Sequence, residues 1–299
     1  MEASTVTVAP VVQTGARQVF SDYLQLTKPK VQSLLLLTTV TTMLVAGSPS
    51  FGLILLTCLG GYLSAGGAGA VNHWYDRDID LQMARTADRP VPSGRVSPAA
   101  ALWFGIGLAA ASFLLMSLTI NVLAASLSFS GFVGYVGVYT MWLKRRTVQN
   151  IVIGGAAGAV PPLVGWAAVT GSVSWIAVYL FAIVFFWTPP HFWALSILMK
   201  EEYAKVGVPM LPVVRGEEET RRQILLYSIL LYAVTQLPYC AGGFGAIYLV
   251  ASLILGGAFI GGAVKLYRDA DRAAALKLYL FSLAYLAALF VAMVADAKL

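Results

Sequence analysis

Apolar residues in this chain neither alternate nor recur every third or fourth position; they run on for about twenty residues at a time. That is the length a helix needs to cross the hydrocarbon of a bilayer. Nine such stretches are present, at 31–47, 52–74, 97–118, 121–143, 150–171, 174–199, 223–242, 245–266 and 274–295. The links at 48–51, 119–120, 172–173 and 243–244 leave room only for tight hairpin turns. Lys and Arg cluster at 17, 28 and 30; at 77, 85, 89 and 95; at 144 to 146; at 200, 205, 215, 221 and 222; and at 265, 268, 272 and 277. The alternate links carry neither, and Lys298 stands alone at the far end. This is the positive-inside pattern. It predicts a cytoplasmic tail over 1–30, a single transmembrane domain over 31–299, four cytoplasmic basic links and a C-terminus on the outer side.

Composition limits the fold class. The 299 residues are 59% hydrophobic and 11% charged, against roughly 25% charged in soluble domains. An all-α integral membrane protein follows, because backbone polar groups in lipid must be satisfied within each segment. The net charge of +6 is explained by topology and attraction to anionic lipid. No basic-aromatic platform accompanies it, so nucleic acid is not expected as a partner. Cys58 and Cys240 are too few for a disulfide framework or a zinc site. Residues 1–29 lack an apolar core and pair one Arg with Glu2 and Asp22, unlike a signal or transit peptide. The expected location is the plasma membrane of a prokaryote. Gly61, Ala65 and Gly69, Gly154 and Gly158, and Gly257 and Gly261 repeat at a spacing that lets helices approach closely in lipid.

Candidate chemistry gathers after the second span. If its helix continues to Asp80, then Asn72, Asp76 and Asp80 share one face and Asp78 points away. Two carboxylates and an amide oxygen suit Mg²⁺, which completes its shell with water and substrate phosphates. Arg85 and Arg89, four apart, are suited to phosphate oxygens. The alternative is an interfacial helix end with solvated Asp–Arg pairs.

The run Asn72-xxx-Asp76-xxx-Asp80, with Arg85-Thr86-xx-Arg89-Pro90 behind it, resembles the first signature of the UbiA superfamily of intramembrane prenyltransferases. Four more blocks narrow the resemblance to the branch acting on haem. They are Tyr139-Thr140-xx-Leu143-Lys144-Arg145, Asn150-Ile151-xx-Gly154-Gly155, Trp187-Thr188-Pro189-Pro190-His191-Phe192-Trp193, and the run from Gly207 to Val213. The resemblance implies a UbiA-like bundle around a cavity opening toward the cytoplasm, read as two four-helix halves and a ninth helix. It also implies Mg²⁺-dependent transfer of the farnesyl group of farnesyl diphosphate to a vinyl group of haem B, with water addition, giving haem O.

In this reading Asp76 and Asp80 ligate Mg²⁺, and Asn72 either assists or binds the diphosphate. Arg85, Arg89, Lys144 and Arg145 form a phosphate clamp. His191 contacts the porphyrin, with His73 as the second candidate; imidazole is the commonest axial ligand of haem iron. Pro189-Pro190 is expected to break or bend the sixth span and admit a planar guest among Phe185, Phe186, Trp187, Phe192 and Trp193. The alternative for His191 is a core histidine bonded to a neighbouring helix. Glu202-Tyr203 stands where the family often has Asp-Tyr. Glu201 and Glu202 are left to hold a second metal, orient Lys205 or face water. Implied partners are membrane lipid and a haem A synthase or terminal-oxidase assembly proteins. Rival functions are prenyl transfer to an aromatic or chlorophyll-type acceptor, and secondary transport. Transport would place ionisable groups near the midplane rather than at one interface.

Overall fold

A computed structural model describes residues 15–299, so the part of the predicted tail before Gly15 lies outside the described residues. These residues are helical throughout: α1 (Ala16–Leu26), α2 (Pro29–Ala46), α3 (Phe51–Tyr75), α4 (Arg77–Asp80), α5 (Pro98–Thr119), α6 (Val122–Val133) continuing as a π-helical segment (Gly134–Leu143), α7 (Asn150–Thr170), α8 (Trp175–Leu198), α9 (Lys200–Lys205), α10 (Leu211–Val214), α11 (Gly216–Cys240), α12 (Ala246–Asp269) and α13 (Arg272–Lys298). Among the described residues nine helices are long and apolar enough to cross a membrane.

The hairpin turns end in capping residues. Ser50, Asn121 and Ser174 accept the N–H of the third residue onward and so open α3, α6 and α8; Ser97 and Asp271 do the same for α5 and α13. Each cap satisfies a backbone donor that the first helical turn leaves free. α11 begins at Gly216, not at 223, because Glu217, Glu218 and Glu219 form its first turn. Acidic side chains favour a helix N-terminus but do not register in a count of apolar residues.

Consecutive spans pack as neighbours, and α13 closes on α2; α2 also packs on α7, and α13 on α8. The spans of the first half (α2, α3, α5, α6) thus meet those of the second (α7, α8, α11, α12), with the ninth bridging both. α8 is the most enclosed span, with 67% of its most apolar stretch buried against at most 44% elsewhere. It runs unbroken through Pro189 and Pro190, contrary to the expected break. Neighbouring helices and side chains can accommodate such prolines, and Thr188 Oγ1 donates to the Val184 carbonyl at 2.8 Å one turn back. The tail boundary at 30 also falls too late, since Leu26 at the end of α1 is fully buried.

α3 and α5 meet through glycine. A Cβ on Gly67 would stand 2.5 Å from the Gly105 carbonyl oxygen, and one on Gly105 2.7 Å from that of Gly67. Both atoms belong to backbone, so the helices would have to separate. Gly67→Ala is expected to destabilise by about 1–3 kcal/mol, the usual range for overpacking. Gly107→Ala, with open space at its Cβ, should leave the thermal midpoint of the purified protein unchanged or higher. Equal midpoints for the two variants would contradict the close approach.

Candidate active site

α3 ends at Tyr75, but helical hydrogen bonding crosses the junction into α4. The Asp76 N–H donates to the Asn72 carbonyl at 2.9 Å, and the Asp80 N–H to that of Asp76 at 2.8 Å. Asn72, Asp76 and Asp80 therefore stay in register and are buried, at 3%, 0% and 2% exposure. The Asp78 side chain is 58% exposed on the other side.

Three cations meet this row. Lys144 Nζ pairs with Asp76 Oδ2, Arg89 Nη1 reaches Asp80 Oδ2 at 2.6 Å, and Lys28 Nζ donates to Asn72 Oδ1 at 2.6 Å. The Asn72 amide also donates to Asp76 Oδ2 at 2.7 Å and to Thr140 Oγ1 at 3.2 Å. Two carboxylates thus face three cationic groups, leaving an excess of positive charge for an anionic guest. The π-helical segment sets the far wall. The Lys144 N–H closes on the Tyr139 carbonyl, five residues back, and Thr140 and Tyr135 of that segment turn toward Asn72 and Lys28. Segments of this kind often mark functional sites.

Lys28 went unrecognised in the sequence, where it counted only as a topology charge. It has a left-handed backbone (φ 53°) and caps α2 just before Pro29. A Cβ on Gly69 would lie 2.9 Å from the Leu26 carbonyl oxygen, so the glycine lets this turn press against α3. Non-glycine residues with positive φ are uncommon and cluster at functional sites. Burial lowers the Lys28 ammonium from its usual range to about 7; Arg89 and Lys144 push the same way, against Asp76 and Asp80.

The predicted clamp is only partly assembled. Arg145 lies over the Tyr75 ring at 4.8 Å and grips Asp78 with both terminal nitrogens, at 2.6 and 2.7 Å. It reaches Asp76 only at 3.4 Å. The Arg145 hydrogen bond holds the Asp78 carboxyl below its usual range. Arg85 is exposed and enters no ion pair among the described residues. Arg95 ties the loop to α1 through Asp22 and Asp88, both at 3.0 Å. One Glu202 oxygen is buried without a partner, yet among the described residues no three His, Cys, Asp or Glu side chains gather as a metal-binding group. Asp76 and Asp80, with the Asn72 oxygen, still fit Mg²⁺. They are buried hard donors, too few for a closed cage and suited to an ion completed by water and phosphate oxygens.

His191 is 6% exposed and its Nδ1 lies 2.6 Å from Ser282 Oγ of α13, so it bonds to a neighbouring helix as the alternative reading had it. His73 is buried, with no partner for Nδ1.

This arrangement has counterparts. The model of the UbiA prenyltransferase family matches residues 35–290. A relative named protoheme IX farnesyltransferase from Chloroflexus aurantiacus is 54% identical over 98% of this chain, which covers 50% of that protein. One of the same name from Roseiflexus is 52% identical over 96% of this chain and 54% of its own length. The chain thus spans about half the length of these two relatives. A third, from Symbiobacterium thermophilum, is 54% identical over 95% of this chain and 96% of its own. Among solved structures, digeranylgeranylglyceryl phosphate synthase superposes with a TM-score of 0.78 at 21% identity, covering 94% of this chain and 99% of that one. A UbiA homologue from Archaeoglobus fulgidus, bound to GPP and Mg²⁺, superposes with a TM-score of 0.67 at 16% identity over 91% and 99%. By matched sequence and by fold alike, this chain belongs to the UbiA prenyltransferase family.

Proposed function

We propose that this chain transfers the farnesyl group of farnesyl diphosphate to a vinyl group of haem B, with water addition, giving haem O and diphosphate. The observation that carries the reading is the buried Asn72–Asp76–Asp80 row ringed by Lys28, Arg89 and Lys144. Such a cradle balances charge for a diphosphate at the end of an apolar bundle. The acceptor is supported by the blocks around Trp187–Trp193 and Gly207–Val213 and by the name shared by relatives at 52–54% identity.

The allylic C–O bond breaks as negative charge develops on the departing diphosphate. Lys28, Arg89 and Lys144 stabilise that charge from fixed positions. Mg²⁺, held by Asp76, Asp80 and the Asn72 oxygen, supplies further charge neutralisation when bound. The haem vinyl carbon bonds to the farnesyl C1, and water adds to the resulting porphyrin-side cation and loses a proton. The aromatic wall near Trp187 keeps water away until the first bond has formed.

The chain is proposed to sit in the plasma membrane of a prokaryote as one domain that takes in α1 and Lys28. Its basic links would face the cytoplasm and Leu299 the outer side. Haem A synthase and oxidase assembly proteins are proposed to follow it. Reporter fusions after 95 and 215 should read cytoplasmic, and those after 48, 172 and 299 external; a cytoplasmic reading at 299 would overturn the orientation. For the reaction, purified protein in lipid nanodiscs should convert farnesyl diphosphate and haem B to haem O by mass spectrometry, and EDTA should stop it. Consumption of farnesyl diphosphate with an aromatic acid but not with haem would overturn the acceptor.

A further inference from the structure

The two hydrogen bonds at Ser282 decide which nitrogen of His191 carries its proton. Ser282 Oγ lies 2.6 Å from the Tyr279 carbonyl, to which it donates, and 2.6 Å from His191 Nδ1. A hydroxyl has one proton. With it on the Tyr279 carbonyl, Oγ accepts from an Nδ1–H, and the Nε2 of a neutral His191 is left with a free lone pair. Nε2 makes no hydrogen bond among the described residues and is not sealed off as His73 Nδ1 is. The ring is held on both faces: Trp187 stacks at 4.3 Å and 19°, and Tyr279 at 4.8 Å and 28°. Phe192 meets it edge-on at 5.0 Å. Trp187 is itself anchored by its indole N–H to the Ser282 carbonyl at 2.8 Å.

We propose that Ser282 is a positioning residue that fixes His191 in the Nδ1–H tautomer, so that Nε2 ligates the iron of the haem substrate. The proposal rests on the haem-acceptor reading above. Ligating histidines characteristically donate their other N–H to a fixed partner, which sets ring orientation and basicity. Here one serine, on α13, fixes both the imidazole and the tryptophan stacked on it from α8. A histidine serving only to join α8 and α13 would be indifferent to tautomer, since the serine hydroxyl can donate to Nδ1 as well as accept from it.

The test adds haem B to wild type, Ser282→Ala and Ser282→Thr in nanodiscs, reading Soret and ferric EPR spectra for imidazole ligation alongside the transfer rate. Wild type should show imidazole-ligated haem. S282A should lose roughly 10- to 100-fold in haem affinity or kcat, the usual cost of removing such a partner. Its KM for farnesyl diphosphate should not move, which also reports an intact bundle, and S282T should restore both signals. If S282A fails to fold, His191→Gly with free imidazole tests the ligand directly; recovery of the ligated spectrum supports the proposal and no recovery overturns it. Wild-type haem O formation with unchanged spectra and rate in S282A would overturn Ser282 alone. No haem O from wild type that still binds farnesyl diphosphate would overturn the acceptor reading instead.

Discussion

Asp76→Asn and Asp80→Asn each lower the proposed farnesyl transfer by on the order of a thousandfold, while Asp78→Asn keeps most of it. The amide nearly matches the carboxylate in shape, so the change is one of charge. Asp76 and Asp80 are buried, and each holds a cation, Lys144 and Arg89 respectively. Removing either acid takes away a metal donor and leaves a buried cation unpaired, which costs about 3–5 kcal/mol where desolvation is complete. Purified amounts and thermal midpoints must therefore be compared before rates. Asp78 meets only Arg145 from a half-exposed position, and such a pair contributes under about 1 kcal/mol. The decisive measurement is the initial rate of the three variants at matched folded concentration. Equal damage at Asp78 would mean that the helix face is not what sorts these carboxylates.

Lys28→Ala raises the KM for farnesyl diphosphate by about 10- to 100-fold, the value of one charge-assisted hydrogen bond. Lys28 is the cation of the cradle that pairs with an amide oxygen rather than with a carboxylate. It can therefore turn to a phosphate without abandoning an acid. Arg89 and Lys144 must first share or release Asp80 and Asp76. Titrating farnesyl diphosphate into wild type and variant, with haem binding read in parallel, separates the possibilities. Unchanged diphosphate affinity with weakened haem binding would move Lys28 to the acceptor side.

The nine spans and the acidic row were legible because both are written in local spacing. Twenty apolar residues in succession have few other fates, and a four-residue repeat on a helix places side chains together whatever surrounds it. What the sequence hid depends on tertiary approach. Lys28 lies 44 positions from Asn72 and comes close only because Gly69 admits the turn beside it. Arg145 matched the phosphate clamp by type, yet Asp78 and the Tyr75 ring hold it outside the cradle. Pro189 and Pro190 read as a break because local rules apply to an isolated helix; α8 is enclosed on all sides, and neighbours supply what the prolines remove. Nothing in the neighbourhood of His191 names Ser282, which stands 91 positions away.

The π-helical stretch from Gly134 to Leu143 makes this region intolerant of a change in length. A π turn holds one residue more than the α turn it replaces, so a single-residue deletion there would let the helix relax to ordinary geometry at little local cost. Each residue carries about 100° of rotation around a helix axis, and everything beyond the deletion would swing by that amount. Lys144 would leave Asp76 and Thr140 would leave Asn72, although no side chain of the cradle had been altered. A deletion scan across 134–143 should therefore yield folded, membrane-inserted proteins without transfer activity. An inserted residue at the next turn should bring some of them back, a form of suppression that point substitutions in the same segment would not show.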